Sequence, residues 1–369
     1  MIDGNLDNFG NFTIATSAPN STGNALADFV TGTVASMTQA APYSSFIDSW
    51  YYGFFVNDNW RAASRLTANL GLRYDLQKQP VEALNRTDTF IPHAQSSVIP
   101  GAPLGLLYPG DKGVPRGITD LRAHHISPRL GLVWNPFGNG KTAVRAGAGI
   151  FFGSVDDNEW NQPANGQPFA VSQTFNSIAA LTNLYGDPSS FPNGNPFRYY
   201  YSRQNPRFLP DASVIAISQK YQWPLTYQFN LSVQQQLPRS VTMTVAYVSA
   251  LSHGIPLDYD VNCLEYAAGA STSQTSINSR RPYDPGVLGQ TQFLASILTG
   301  SYHSLQISVE KQMIHNFMVE GNYVWSHTIW GGEPGADSTN QPQDSDALGE
   351  EKGPGDYDQR QMASMSGIW

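Results

Sequence analysis

The sequence predicts an all-β fold: an antiparallel transmembrane β-barrel wall with long extracellular loops. Three observations carry this. Segments of about ten residues or more alternate apolar and polar side chains with period two. Very short turns and very long loops alternate between those segments, which is the loop pattern of outer-membrane barrels. Aromatic residues gather near both ends of the segments, where amphipathic rings meet lipid headgroups.

The first strand, 49–61, groups Tyr52, Phe54, Val56 and Trp60, although Asp58 interrupts that face. The second, 65–77, sets Leu66, Ala68, Leu70, Leu72 and Tyr74 against Thr67, Asn69, Gly71, Arg73 and Asp75. Strand 124–137 alternates Leu130, Leu132 and Trp134 with Arg129, Gly131 and Val133; strand 141–153 alternates Val144, Ala146, Ala148, Ile150 and Phe152 with Arg145, Gly147 and Gly149. Strand 224–237 sets Tyr227, Phe229, Leu231 and Val233 against Gln228, Asn230, Ser232 and Gln234. Strand 240–254 carries Val241, Met243, Val245 and Tyr247 on one side and Thr242, Thr244 and Ala246 on the other. Strands 301–313 and 316–328 repeat the pattern with Leu305, Ile307 and Val309, then with Phe317, Val319, Tyr323 and Trp325. A stub follows at 359–369, and residues 1–48 form a preceding loop and strand segment.

Short turns join these strands in pairs at 62–64, 138–140, 238–239 and 314–315, and the Asn139-Gly140 pair is a hairpin signal. Long stretches rich in Pro, Gly, Asn and Ser separate the pairs at 78–123, 154–223, 255–300 and 329–358. The short turns are expected at one end of the sheet and the long loops at the other. Trp60, Tyr74, Trp134, Phe152, Tyr227 and Trp325 are the expected lipid-interface aromatics. The apolar face should look to lipid and the face with Gln228, Asn230, Gln234, Thr244, Gln306, Glu310 and Glu320 to a lumen. A soluble β-sandwich also points aromatics inward, but sandwich strands are commonly shorter.

Composition narrows the alternatives. The 369 residues include 33 Gly and 25 Pro, are 12% aromatic and only 14% charged. Disordered tails are charge-rich and aromatic-poor, and helical bundles are not built on Gly and Pro. No apolar run is long enough for a transmembrane helix. The net charge of −8 comes mostly from 333–358, where Glu333, Asp337, Asp344, Asp346, Glu350, Glu351, Asp356 and Asp358 face one base, Lys352. The remainder is close to neutral, so there is no basic footprint for nucleic acid. The single cysteine, Cys263, allows neither an intrachain disulfide nor a Cys-based zinc site. The segment MIDGNLDNFGNF lacks the basic and apolar stretches of a secretory signal, so the chain is expected to be cytosolic or a piece of something longer.

Several motifs resemble one family. Phe54-Phe55-Val56-Asn57-Asp58-Asn59-Trp60 followed by Arg65-Leu66-Thr67-Ala68-Asn69-Leu70-Gly71-Leu72-Arg73-Tyr74-Asp75 resembles a barrel hairpin of TonB-dependent outer-membrane receptors. Gly23-Asn24-Ala25-Leu26-Ala27-Asp28-Phe29 resembles a segment of the Oar-like branch, which carries a carboxypeptidase-regulatory-like domain. Ser127-Pro128-Arg129-Leu130-Gly131-Leu132, Arg145-Ala146-Gly147-Ala148-Gly149-Ile150-Phe151 and Tyr302-His303-Ser304-Leu305-Gln306 resemble further barrel motifs of that branch. The resemblance implies a 22-stranded barrel, a plug with a TonB box, a TonB energy-transducing partner, and binding and import of an unknown solute. Neither plug nor TonB box is visible here, and about eight strands make less than half such a wall. The chain is therefore expected to be an internal barrel fragment forming an open sheet. A passive porin, a surface-binding or adhesion protein and, last, an outer-membrane hydrolase remain as alternatives, although the sequence supplies no Ser or Asp nucleophile with a placed His for the hydrolase.

No catalytic, cofactor or metal set stands out. His124-His125 opens a strand, where neighbours point to opposite faces. Asp156-Asp157-Asn158-Glu159 and Asp344-Ser345-Asp346 are oxygen-rich but lack EF-hand spacing, so solvated loop acids are expected. Gly147-Ala148-Gly149 lies in a strand and is expected to serve the inner face rather than a dinucleotide. Segment 191–208, with Tyr199, Tyr200, Tyr201 and Arg203, is a candidate ligand loop; the competing reading is that its aromatics fold the loop on itself.

Overall fold

The computed structural model describes all residues except 1, 5–8, 19, 42, 120–123, 155–156, 177–180, 182–183, 187–193, 196, 198–200, 315 and 333–340. Its main sheet contains β1 (Ile47–Ala63), β2 (Leu66–Glu82), β3 (His124–Trp134), β4 (Thr142–Phe152) and β5 (Leu225–Leu237). It continues through β6 (Val241–Asp260), β7 (Leu288–Ile314), β8 (Phe317–Trp330) and β9 (Gln361–Ile368). These nine strands follow one another in sheet order as in sequence, each antiparallel to the next. Among the described residues β1 pairs only with β2, and β9 only with β8. The sheet is open, as expected.

Register partners confirm the alternation. Leu70, Leu130, Ala148 and Phe229 form one cross-strand row. Leu66, Trp134, Val144, Val233, Val245, Ile307 and Tyr323 form another on the same face. The opposite face carries the row Asn59, Asn69, Gly131, Gly147 and Asn230. Asp58 is the exception, opposite Leu70 on the apolar face. Leu70 is 45% and Leu231 50% exposed, so neither sits in a sandwich core; an apolar face of this extent needs a partner phase.

The turns have local causes. Between β3 and β4 the chain needs positive φ at Gly138 (+68°) and Gly140 (+70°), and Asn135 Oδ1 accepts from Gly138 N at 2.8 Å. β3 stops at Trp134 rather than 137 because Asn135 caps this turn and Pro136 has no N–H to donate.

The stretch 255–300 differs most from expectation. It is not all loop: β6 runs on to Asp260 and β7 starts at Leu288. Gly254, at φ +66°, sits in a register shift between His253 and Ile255 that carries the pairing past Pro256. Ala212–Ile217 then adds a parallel strand on the Leu288–Leu294 part of β7. These residues lie beyond the span that a strand of about ten residues needs to cross a bilayer, so they build a shelf above the wall.

The long loops fold onto that shelf. One apolar cluster joins Phe90, Ile99, Leu106, Tyr108, Phe169, Val214 and Leu288. A second joins Leu107, Ile118, Trp160, Ile217, Tyr221, Trp223 and Leu294. Asp111 pins the 96–111 turn: its carboxylate accepts from Ser96 Oγ (2.7 Å), Ser97 N (2.7 Å), Ser97 Oγ (2.8 Å), Val98 N (3.0 Å) and Tyr108 N (2.9 Å). Residues 11–13, 36–40 and 172–176 form a separate three-stranded sheet. The helix Ala25–Thr31 precedes the middle strand, with Asn24 Oδ1 capping the N–H groups of Leu26 and Ala27.

Candidate functional site

The polar face of β1–β5 forms the most developed candidate surface. Its floor is glycine. A Cβ at Gly71 would lie 2.8 Å from Asn57 Oδ1, at Gly147 2.7 Å from Asn230 Nδ2, and at Gly149 2.9 Å from the Phe151 ring. At Gly131 it would meet Asn69 at 3.3 Å. Glycine therefore lets amide and aromatic side chains of neighbouring strands lie flat on the wall. The result is a groove of about 640 Å3 lined by Asn57, Asn59, Asn69, Arg129, Arg145, Phe151, Gln228 and Asn230. The sequence placed Gly147 and Gly149 on this inner face; their partners on adjacent strands emerge only from register.

Arginines in this wall differ in what holds them. Arg73 donates from Nε to both Asp75 oxygens (2.9 and 3.0 Å) and from Nη2 to Tyr51 Oη at 2.6 Å. Arg145 donates to Gln234 Oε1 at 2.8 Å. Arg129 lies over the Phe151 ring, 4.6 Å from its centroid, a cation–π contact. Among the described residues neither Arg129 nor Arg145 has a carboxylate partner.

On the apolar face, Trp60, Trp134 and Trp325 are exposed. Tyr74 stacks on Phe54 and hydrogen-bonds His124, and Tyr227 meets the His253 ring edge-on. Phe152 is drawn into the loop core, where His125 lies 4.4 Å from its ring and 4.6 Å from that of Trp223. It lies past the last β3–β4 pair, Gly149 with Arg129, and is still paired with Leu225 of β5.

Tyr201 packs edge-on against Phe169, so its ring serves the loop core, while Arg203 is exposed. Tyr199, Tyr200, Asp156, Glu333 and Asp337 lie outside the described residues. Glu159 accepts from the Tyr221 hydroxyl, and Asp344 Oδ1 accepts from Asp346 N at 2.8 Å. Among the described residues no group of three His, Cys, Asp or Glu is arranged to hold a metal. Burial first, then Asp260, Asp346 and Asp344, push the Cys263 thiol up, away from nucleophilic character.

Residues 2–369 match the outer membrane beta barrel domain family. The chain belongs to this family. This outer-membrane barrel chain is 21% identical over 309 residues to the TonB-dependent transporter Oar of Myxococcus xanthus, covering 77% of the chain and 23% of that relative. Among solved structures it is similar to the siderophore receptor PiuA from Acinetobacter baumannii (10% identity, 91% of this chain, 32% of that chain, TM-score 0.41). It is also similar to the ferripyoverdine receptor of Pseudomonas aeruginosa (9% identity, 89% of this chain, 27% of that chain, TM-score 0.39). The chain thus spans about a quarter of the curated relative and about a third of PiuA. Its relatives are outer-membrane transporters and receptors rather than enzymes, and its location is the cell outer membrane.

Proposed function

We propose that residues 49–369 form one stretch of the wall of a TonB-dependent receptor. Such a receptor binds a solute at the cell surface and imports it with energy from the inner membrane. Residues 1–48 precede this wall. The observation that carries the reading is the open sheet: one face is apolar across the strands, the other is polar and glycine-floored, and both edge strands lack a second partner among the described residues. Unpaired backbone in lipid costs several kcal/mol per group, so these edges call for further strands. Trp60, Tyr74, Trp134, Tyr227 and Trp325 then contact the lipid interfaces, and the polar face lines the lumen. The exposed Arg203 is the remaining described candidate for surface ligand contact in its loop.

Solute uptake in cells carrying the complete gene product tests the energy coupling. Uptake should stop when the TonB energy-transducing complex is deleted. Undiminished flux would identify a passive pore instead.

A further inference from the structure

We propose that the loop end of the apolar face selects its lipid: Lys78, His124, His253 and His303 take the phosphate of an anionic lipid headgroup in the outer leaflet. The proposal rests on the reading of that face as lipid-facing and names the headgroup chemistry it prefers.

Register puts all four side chains on the apolar face. His124 pairs with Leu76, ten residues along from Leu66, and Lys78 follows two positions later. His253 pairs with Leu225, four residues from Phe229, and His303 pairs with Ser249, four residues from Val245. They also share a height. The row through Leu66, Trp134, Val233, Val245 and Ile307 starts at the first residue of β2 but meets β7 seven residues before its end at Ile314. Rows therefore climb towards the loops from strand to strand, as tilted strands require, and the count from the nearest short turn measures height. Lys78 is twelve residues after Leu66, His124 ten before Trp134, His253 twelve after Val241 and His303 eleven before Ile314.

Ten to twelve residues rise about 33–40 Å along a strand, and a tilt of about 40° leaves about 25–30 Å of height. Short turns mark the periplasmic side, and the lipid-facing band is about 25 Å tall. The four side chains therefore stand where acyl chains give way to outer headgroups. Between them and the short turns, the apolar face of β2, β3, β6 and β7 carries no acid among the described residues. Ile126, Leu251 and Leu305, each two positions below a histidine, offer surface to the acyl chains. A headgroup bound here keeps its own tails against protein.

The rings are already oriented. The Tyr74 hydroxyl hydrogen-bonds His124 Nδ1, while Tyr247 Oη lies 2.7 Å and Ser249 Oγ 3.1 Å from His303 Nδ1. Among the described residues Nε2 of each ring has no partner. It carries a hydrogen in the imidazolium and in the neutral tautomer whose Nδ1 accepts the phenol proton. A phosphate oxygen complements that donor. His253 is exposed beside the edge-on Tyr227 ring, and the exposed Lys78 adds an ammonium. His327 stands at the same height, ten residues after Phe317, but Asp358 lies 3.2 Å from its Nδ1 and Arg360 3.2 Å from its Nε2. It is therefore already engaged and takes no part.

The test uses the complete gene product in phosphatidylcholine vesicles, in a Cys263→Ser background, with a bimane label on Leu251→Cys. Residue 251 lies between Ser249 and His253 and opposite Ser301. At equal mole fraction, acyl-brominated phosphatidic acid should quench this label at least twofold more than acyl-brominated phosphatidylcholine. His253→Gln with His303→Gln should remove the excess, and the two lysine substitutions at those positions should raise it. A label on Met243→Cys, near the short turn, should respond alike in all these backgrounds. No excess before the histidines are changed overturns the proposal. So does an excess that survives in a folded double glutamine variant. Loss of the excess in the lysine variant also overturns it, since charge at those positions would then be immaterial.

The reading of the face is checked separately in the same Cys263→Ser background. Gln228→Cys should react with a water-soluble maleimide, and Phe229→Cys should respond only to a lipid-phase quencher. If that pattern holds and the phosphatidic acid preference fails, the headgroup proposal alone is wrong. If the pattern is reversed, the lipid-facing reading falls and the proposal with it.

Discussion

Replacing Leu231 by arginine puts the two-faced wall to a quantitative test. Leu231 is half exposed on the apolar face and lies in one row with Ala146, Tyr247, Leu305 and Trp325. It is six residues above Leu237, the last residue of β5. Six residues rise about 20 Å along the strand, and a tilt of about 40° leaves about 15 Å of height, close to the middle of a lipid-facing band about 25 Å tall. Arginine at that depth costs about 2–4 kcal/mol, or about 30- to 900-fold in the folded population. Ser308 is the matched control. It lies six residues before Ile314, the end of β7, on the polar face opposite Thr244 and Asn322, and two positions from Glu310. Ser308→Arg should change stability by less than about 0.5 kcal/mol, as a surface substitution does. The assay is equilibrium unfolding from lipid vesicles in guanidinium, followed by tryptophan fluorescence. Equal costs for the two variants, or a larger one at Ser308, would refute the assignment of faces.

Three further outcomes follow from the loops and the floor. Asp88 is buried and neither of its carboxylate oxygens has a hydrogen-bond partner among the described residues; burial raises its pKa well above the usual carboxylate value. The folded state therefore holds this proton more tightly than the unfolded chain, so its contribution is complete below the unfolded pKa and is lost as pH rises through the folded one. Asp88→Asn should flatten the loss of the loop core's stability as pH rises above the ordinary carboxylate pKa, and an unchanged slope in thermal melts would contradict this. Asp111 behaves oppositely: burial pushes its carboxyl up, but hydrogen bonds from Ser96, Tyr108 and Ser97 outweigh this and hold it below the ordinary value. Its contribution is present above the unfolded pKa and lost as pH falls through the folded one. Asp111→Ala should cost about 1–3 kcal/mol at neutral pH and speed proteolysis within 96–111, a nicking rate that can be followed directly. Gly147→Val should displace the Asn230 amide and lower stability by about 1–3 kcal/mol, whereas Ala148→Val on the lipid side should be nearly neutral; similar losses in paired denaturation curves would speak against the close-approach role of Gly147.

The wall was legible in the sequence because its signal is local. Period-two alternation along 65–77 and 224–237 needs no tertiary context, and the short turns at 138–140 and 238–239 declare themselves through Asn-Gly and Pro. What was not legible depends on partners far along the chain. Ile255–Asp260 reads as loop because of Gly254 and Pro256, yet it pairs with Gln292–Leu298 once a shelf exists. Phe152 carries the apolar face by alternation, and its packing against His125 and the loop core depends on residues far along the chain. Asn69, Asn230 and Arg129 became a site only when register laid them over Gly131, Gly147 and Gly149. The Asp111 turn was missed although Ser96-Ser97 and Asp111 were in plain view, because hydrogen bonds over such a loop follow no fixed spacing.

The proposed receptor wall requires that these nine strands be one arc of a wider barrel and not close on each other. Spin labels at Asn57 on β1 and Ser364 on β9, in the Cys263→Ser background, test it by electron–electron distance measurement in vesicles. Eight strand spacings of about 4.8 Å give about 38 Å of arc, so the account predicts a separation above about 20 Å. A separation below about 10 Å, the reach of directly paired strands, would show a self-contained small barrel and contradict it.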